Sequence, residues 1–229
     1  MKKIFSISVI AAFALCMFTN INANAQKSKS FGGTVKFHIK FEGDIDPQKH
    51  VPRDEMFTIF GNKIKSTPSY YQGMISTITN YDALTTTILY NVPGNKMGYI
   101  DTSEKYDPAT ATTKYTYTES SETKTICGYV CKRYDVKIYD EEEDEEVSLI
   151  LYTTTEIGDN DNINLMSYPG LSGYPLYTEI TQEGIKIIQE ATEIKKGKIK
   201  AVDLLIPSDY KIMSVEEVNE SLQQLFGGE

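Results

Sequence analysis

The sequence predicts a mainly β protein of the α+β class, with a large curved antiparallel sheet or half-barrel and a C-terminal helix. Three observations predict this fold. Apolar and polar residues alternate with a period of two in many short segments, which is the pattern of half-buried strands. Turn-forming residues separate these segments at short intervals. Helical periodicity is confined to one segment near the C terminus, and no parallel βαβ pattern or fixed internal repeat is present.

Residues 1–25 have the features of a secretory signal peptide. Lys2 and Lys3 precede an apolar run, and a small-x-small sequence ends at Ala25. Cys16 lacks the small preceding residues of a lipoprotein signal. We expect an exported protein in the periplasm, associated with the outer membrane or secreted. Residues 26–30 are expected to be a disordered lead, and residues 31–229 a single β domain.

The charge of the predicted mature chain excludes some partners. Residues 1–25 hold two of the 23 basic residues and none of the 32 acidic ones, which leaves 204 residues with a net charge of −11. Such a chain is repelled by nucleic-acid phosphates and by anionic lipid surfaces. No later segment is long and apolar enough to cross a bilayer, so we expect no integral membrane protein.

The N-terminal half of the domain consists of predicted strands. In the first strand Val35, Phe37, Ile39 and Phe41 alternate with polar residues, so we expect one buried face. Further strands are predicted over 55–60, 63–65, 74–79, 85–90, 97–100 and 115–118, with turns at Gly61-Asn62 and Pro93-Gly94-Asn95.

The C-terminal half continues with strands and then changes to a helix. Strands are predicted over 133–138, 147–155, 174–181, 185–194 and 199–206, with turns at Glu183-Gly184 and Lys196-Gly197. Ser214 and Glu217 form a capping box. The helical stripe after it, Val215, Val218, Leu222, Leu225 and Phe226, predicts a helix over 214–226 that packs on the sheet.

Cys127 and Cys131 are the two cysteines that remain after signal removal. An oxidising compartment permits a disulfide between them. Four residues of straight strand separate two Cα atoms by about 13 Å, and a disulfide needs about 4.4–6.8 Å. A turn must therefore lie between the cysteines if they are bonded.

Two hairpin registers are compatible with this sequence. A two-residue turn at Gly128-Tyr129 pairs Cys127 with Val130. A three-residue loop over 128–130 sets Cys127 opposite Cys131 and brings the sulfurs together. We expect the disulfide, with two free thiols as the alternative. A redox or metal role is disfavoured because the spacing is C-x3-C in a strand context.

The acidic run 140–146 is predicted to be a solvated hairpin tip. Calcium loops place acids at alternate positions around a glycine, which this run does not do. Asp159-Asn160-Asp161-Asn162 lacks the glycine and distal glutamate of an EF-hand and is predicted to be a polar loop. His38 and His50 are expected at the solvated surface. We therefore predict no metal site.

No sequence motif predicts catalysis. The chain contains no Gly-x-Ser-x-Gly, His-Glu-x-x-His, P-loop or Rossmann fingerprint. We expect no enzyme, no catalytic residues and no cofactor. The 16 tyrosines suit either a ligand groove or ordinary strand packing.

Several short sequence segments, taken in their order along the chain, resemble those of a known family. They are Thr125 to Val136, Leu151-Tyr152-Thr153, Gly173 to Leu176, Ala191 to Ile194 and Ile206 to Lys211. Over roughly 122–212 the chain resembles the domain-of-unknown-function 4412 family, exported proteins with a LolA/LolB-like lipoprotein-carrier fold and a relation to the GLPGLI group. The resemblance implies an exported half-barrel, and the recurrent cysteine of the family corresponds to Cys131.

Two functions follow as hypotheses. The first is a non-enzymatic binding protein that holds a lipid or other hydrophobic ligand in the half-barrel groove. The second is a structural or surface-interaction protein of the cell envelope without a small ligand. A dry pocket supports the first, and an exposed apolar or edge-strand patch supports the second.

Overall fold

The fold is one large curved, open sheet with a single C-terminal helix. The computed structural model describes residues 31–43, 54–61, 63–68, 74–102, 109–157, 168–182 and 184–226. The strands are β1 Gly32–Glu42, β2 Asp54–Phe60, β3 Lys63–Pro68, β4 Met74–Asn80, β5 Thr85–Val92, β6 Asn95–Thr102, β7 Thr113–Ile126, β8 Tyr129–Asp140, β9 Glu145–Thr154, β10 Tyr174–Gln182, β11 Ile185–Lys196 and β12 Lys211–Ile212. The predicted fold class is confirmed.

The sheet is built from two antiparallel meanders that meet in the middle. The strand order is β12-β6-β5-β4-β3-β2-β1-β11-β10-β9-β8-β7. Strands β1 to β6 form the first meander and β7 to β11 the second. The first and last long strands, β1 and β11, pair antiparallel and join them. Only β12 pairs parallel to its neighbour, β6, among the described strands.

The two faces of the central strands differ in chemistry. Residues that pair directly across antiparallel strands share a face, and Phe37 pairs with both Glu55 and Ala191. We call this side of the sheet the Phe37 face. It carries the buried Val35 and Ile59. Both belong to the larger hydrophobic cluster, whose other members include Phe31, Tyr81, Ile126, Cys131, Tyr152, Ile157, Tyr174 and Leu176. A smaller cluster surrounds Val136, Ile138, Leu149, Leu151 and Leu171.

The segment 199–206 corrects one sequence prediction. It contains a 3-10 helix at Ala201–Leu204 instead of a strand. A strand after the Lys196-Gly197 turn would need a free edge of β11, but β1 and β10 occupy both edges. The chain therefore leaves the sheet plane, buries Leu204 and exposes Val202.

Residues 197–210, which we call the strap, carry the chain from β11, in the interior of the sheet, to β12 at its edge. These residues reach at most about 50 Å when extended, and seven inter-strand steps from β11 to β12 would cover about 34 Å in a flat sheet. The strap is therefore long enough to span the first meander. Its 3-10 helix contacts β2 and β3, and β12 then aligns beside β6.

The predicted C-terminal helix is present as α1, Val215–Phe226. Its capping box is confirmed: the Glu217 N–H donates to Ser214 Oγ at 3.2 Å, and the Ser214 N–H donates to Glu217 Oε2 at 2.9 Å. The helix contacts β6. Its stripe is only partly buried, because Val218 is enclosed while Val215 and Leu225 are exposed. No helix in the described part of the chain is long and apolar enough to span a membrane.

Candidate functional site

A buried carboxyl group lies on the Phe37 face. Glu55, in β2, is only 3% exposed. The Ser66 hydroxyl of β3 donates to its Oε1, and the Gln189 side-chain amide of β11 donates to its Oε2 at 3.1 Å. We call these three residues the Glu55 cluster. They bring together β2, β3 and β11, three strands that belong to both meanders.

The surroundings of Glu55 favour its neutral form. Loss of hydration on burial raises the pKa of Glu55 to about 7, although the hydrogen bonds from Ser66 and Gln189 act in the opposite direction. No cationic side chain among the described residues contributes to this shift. The phenol of Tyr174 interacts electrostatically with Glu55 and with Tyr81, and burial raises the pKa of both tyrosines.

Aromatic and hydroxyl groups flank the Glu55 cluster. Phe57 follows Glu55 on the same face, and its ring meets Phe37 edge-on at a centroid distance of 5.4 Å. Toward β4 and β5, the face continues with buried hydroxyl residues, because Ser66 pairs with Thr77. The hydroxyls of Thr79 and Thr86 lie 3.2 Å apart. The site is thus a polar patch bordered by apolar rings on one side.

A second set of paired groups crosses the other meander. Arg133, Tyr152, Tyr177 and Glu190 are consecutive partners in the registers of β8 to β11 and therefore share a face. The Lys124 ammonium lies 4.2 Å from the Tyr177 ring centroid and 2.9 Å from Glu190 Oε1. We call these five residues the tyrosine–lysine row.

The side chains of the tyrosine–lysine row contact one another and neighbouring carboxylates. The rings of Tyr152 and Tyr177 meet edge-on at 5.4 Å. The Arg133 guanidinium pairs with Glu122 and Asp135. Burial and the hydrogen bond to Glu179 raise the pKa of Tyr177. These contacts link five strands and give each cation of the row at least one carboxylate partner.

The cysteine hairpin corrects both predicted registers. Cys127 and Gly128 are the two turn residues, with φ of 49° and 85°, and Ile126 pairs with Tyr129. Two positive φ angles define a type I′ turn, whose twist matches the flanking strands. This register buries Ile126 and Cys131 and exposes Val130. Cys131 consequently lies opposite Lys124 and not opposite Cys127.

The predicted disulfide is not formed in the structure, where both cysteines are free thiols. The Cys127 thiol donates to the Ala191 carbonyl at 3.3 Å, and the Cys131 thiol donates to the Tyr129 carbonyl at 3.6 Å. Burial raises the pKa of Cys127, and it raises the pKa of Cys131 to about 11. Such thiols are poor nucleophiles at neutral pH because little thiolate forms.

The acidic run behaves as the sequence predicts. Residues 141–144 form the exposed turn between β8 and β9. Asp140 Oδ1 accepts the N–H groups of Glu142 and Glu143, and the Tyr139 hydroxyl donates to Asp144. No group of three or more potential metal ligands occurs within the described ranges. His50 and the segment 159–162 lie outside the described residues.

His38 lies at the surface, as predicted, and has a specific partner. Its Nδ1 is 2.7 Å from Asp54 Oδ1, and Lys36 lies 3.4 Å from the same carboxylate. The hydrogen bond with His38 holds the pKa of Asp54 below its ordinary value. This ion-pair group faces away from Glu55, because consecutive strand residues point to opposite sides.

Sequence reasoning did not identify the Glu55 cluster or the tyrosine–lysine row. One signal for Glu55 was present: it is in phase with Phe57 and Ile59. However, Met56 and Phe60 make the alternate face of β2 equally apolar, so the sequence does not say which side is buried. The row depends on registers among five strands, which no local pattern encodes.

Comparison with known proteins supplies no family. No protein-family model matches the chain, and no curated protein matches it. The resemblance to the domain-of-unknown-function 4412 family therefore stays a prediction from the residues.

Proposed function

We propose that this protein is an exported, non-enzymatic binding protein that holds a lipid or other amphiphile against the Phe37 face of its half-barrel. The observation that carries the proposal is the placement of the polar Glu55 cluster within an apolar face of an open sheet. An amphiphile needs both an apolar surface and a point of polar contact. Phe57 and Ile194, which both pair with Val35 and so lie on the Phe37 face, are only partly buried.

The N-terminal sequence and the family resemblance also support the proposal. Residues 1–25, outside the described residues, have the composition of a signal peptide. The resemblance to a LolA/LolB-like carrier fold implies a groove for acyl chains, and the curved open sheet is the architecture such a groove requires. Export, periplasmic or outer-membrane location and family membership are parts of this proposal.

Exposed apolar side chains favour a second candidate, a structural or surface-interaction protein of the envelope. Met56 and Phe60 project from the face of β2 opposite the Phe37 face and are 45% and 42% exposed. Val202 and Leu205 are exposed on the strap, whose 3-10 helix contacts β2 and β3. Exposed apolar side chains of this kind are what a protein-binding surface requires.

Native mass spectrometry of protein purified from its own envelope separates the two candidates. Amphiphile binding predicts a mass increment that organic extraction removes and that Phe57→Arg reduces. Thr58→Arg, on the opposite face of β2, is the matched control and should keep the increment. Protein without any increment, combined with envelope cross-links that Phe60→Lys abolishes, would support the second candidate instead.

A further inference from the structure

The Glu55 carboxyl group is buried, and no cation among the described residues balances its charge. Its two neutral donors come from Ser66 and Gln189. The Tyr174 phenol interacts electrostatically with Glu55 and, in turn, with the Tyr81 phenol. Neither phenol carries a positive charge at any pH. A buried carboxylate in such a place is costly, and pairing with a cation removes most of that cost.

The carboxyl group also has unused acceptor capacity. An ionised carboxylate offers about four acceptor positions on its two oxygens. Ser66 occupies one position on Oε1, and Gln189 occupies one on Oε2. No other donor in the described part of the chain contacts either oxygen, so acceptor positions remain on both with respect to those residues. An ammonium group carries three donors and a positive charge. It therefore complements both the acceptor positions and the negative charge of the carboxylate.

The groups around the carboxyl indicate what the rest of such a ligand would be. The Phe37 and Phe57 rings border Glu55 on its own face, and Phe57 is partly exposed. Phe37 is itself buried, so an alkyl chain would exchange water for apolar contact along the exposed part of the Phe57 ring. On the other side, the buried hydroxyls of Ser66 and Thr77 suit a polar headgroup.

We propose that the Glu55 cluster anchors the polar end of an amphiphile that carries a protonated amine. The inference rests on the proposed amphiphile-binding function and narrows its ligand class. Ligand binding holds Glu55 in its ionised form. Affinity for the amine therefore rises as pH increases through the titration range of Glu55, whereas affinity for a neutral amphiphile of the same chain length does not.

The test is isothermal titration calorimetry with decylammonium, decanol and decyl sulfate, each below its micelle concentration. At pH 8 the wild-type protein should bind decylammonium at least about tenfold more tightly than decanol, as expected for a cation beside a buried carboxylate. Between pH 6 and pH 8 the decylammonium affinity should rise about tenfold, because the ionised fraction of Glu55 rises by that factor. Decanol affinity should stay constant.

In Glu55→Gln the ratio of decylammonium affinity to decanol affinity should fall to about one. Glu193→Gln, an exposed acid of β11, is the matched control and should keep the preference. Equal binding of decanol and decylammonium by the wild type, or an unchanged preference in Glu55→Gln, overturns the inference and leaves amphiphile binding intact. Failure of all three probes to bind the wild type overturns the proposed function itself. The wild-type pH series decides the question even if Glu55→Gln does not fold.

Discussion

At the scale of single residues, Glu55 differs most from its surroundings. It is an acid on the face of β1 and β2 that also carries Phe37, Phe57 and Ile59. Natural cores avoid an unpaired carboxylate because desolvation costs several kcal/mol. Here the group keeps two hydrogen bonds and shifts its pKa to about 7. The stability of the folded protein therefore depends on whether Glu55 is protonated.

We predict that Glu55→Gln removes a pH dependence of stability. The pKa of Glu55 is raised from 4.5 in the unfolded chain to about 7 in the folded protein. The folded state therefore binds the proton more tightly, and wild-type stability falls as pH rises between these values. The loss amounts to about 3 kcal/mol at most. Urea unfolding, monitored by circular dichroism at several pH values, measures this loss. The free energy of unfolding of Glu55→Gln should increase relative to that of the wild type up to pH 7 and stay level above it.

Glu193→Gln is the control for this measurement because its carboxylate is exposed and paired with Lys195. It should follow the wild-type curve. A Glu55→Gln variant whose stability stays parallel to wild type across the whole range would contradict the prediction.

The two thiols should differ in reactivity. Cys127 is exposed at the hairpin turn, whereas Cys131 is buried with a pKa raised to about 11. In the native protein, we expect iodoacetamide to alkylate Cys127 alone, and Cys131 only after unfolding. Peptide mass mapping measures both sites, and Cys127→Ser should abolish the native-state label. If neither cysteine reacts before a reductant is added, the thiols are bonded, and the disulfide expected from the sequence exists despite this register.

At the scale of elements, the hairpin turn and the helix cap each depend on the backbone requirements of a few neighbouring residues. The Cys127-Gly128 turn, the strap and α1 are short segments with defined backbone requirements. In the turn, glycine supplies a positive φ without a steric cost. In α1, Ser214 and Glu217 satisfy N–H groups that would otherwise lack partners. Each requirement predicts the effect of one substitution.

Gly128→Ala should destabilise the protein by about 1 kcal/mol, because Gly128 has a φ of +85°. Open space surrounds the position that an added methyl group would take, so the cost is conformational alone. Gly197→Ala is the matched control: it also meets no neighbour but lacks a positive φ. Thermal unfolding should separate the two variants by several degrees. Equal melting temperatures would argue against the type I′ turn.

Ser214→Ala should cost about 1 kcal/mol by removing the N-cap of α1. The effect should be confined to the helix and its contact with β6, because Ser214 has no partner in the two meanders among its observed hydrogen bonds. Hydrogen exchange of the α1 amides is the measurement, and Ser221→Ala, within the same helix, is the control. Faster exchange in β1 or β11 would show instead that the cap supports the whole sheet.

At the scale of the whole molecule, the pairing of β1 with β11 determines the architecture. It joins the meander β1 to β6 to the meander β7 to β11. The Glu55 cluster crosses the same junction, since Gln189 belongs to β11 and Glu55 to β2. The strap then returns the chain to β6. Damage to this junction should affect the entire sheet.

Gly33→Ala is predicted to destabilise the whole protein by about 2 kcal/mol or more. A methyl group at this position would overlap the carbonyl oxygen of Lys195 in β11, and a backbone atom cannot move aside without disturbing the pairing. Gly32→Ala, where the nearest atom is the Gly197 oxygen at 3.3 Å, is the control and should cost less. Urea unfolding with tyrosine fluorescence measures both. If Gly33→Ala loses no more stability than Gly32→Ala, the backbone of β1 and β11 can move apart locally without weakening their pairing.

The fold was largely predictable because most elements follow local rules. Alternation located β1, turn residues separated β5 from β6, and the capping box located the start of α1. The strand predicted over 199–206 was wrong because the edges of β11 were already occupied, which is a property of the sheet and not of the segment. The hairpin register failed by one residue, since either Cys127-Gly128 or Gly128-Tyr129 satisfies the local preference for glycine.

The sequence by itself determined that this chain is an acidic, mainly β protein with one capped C-terminal helix, because charge, alternation and capping act between near neighbours. Only the tertiary structure decided which face of β2 is buried, that β1 pairs with β11, and that Cys127 and Cys131 lie apart. These choices depend on contacts between residues distant in the chain. They also place Glu55 beside Ser66 and Gln189, the arrangement on which the proposed amphiphile site depends.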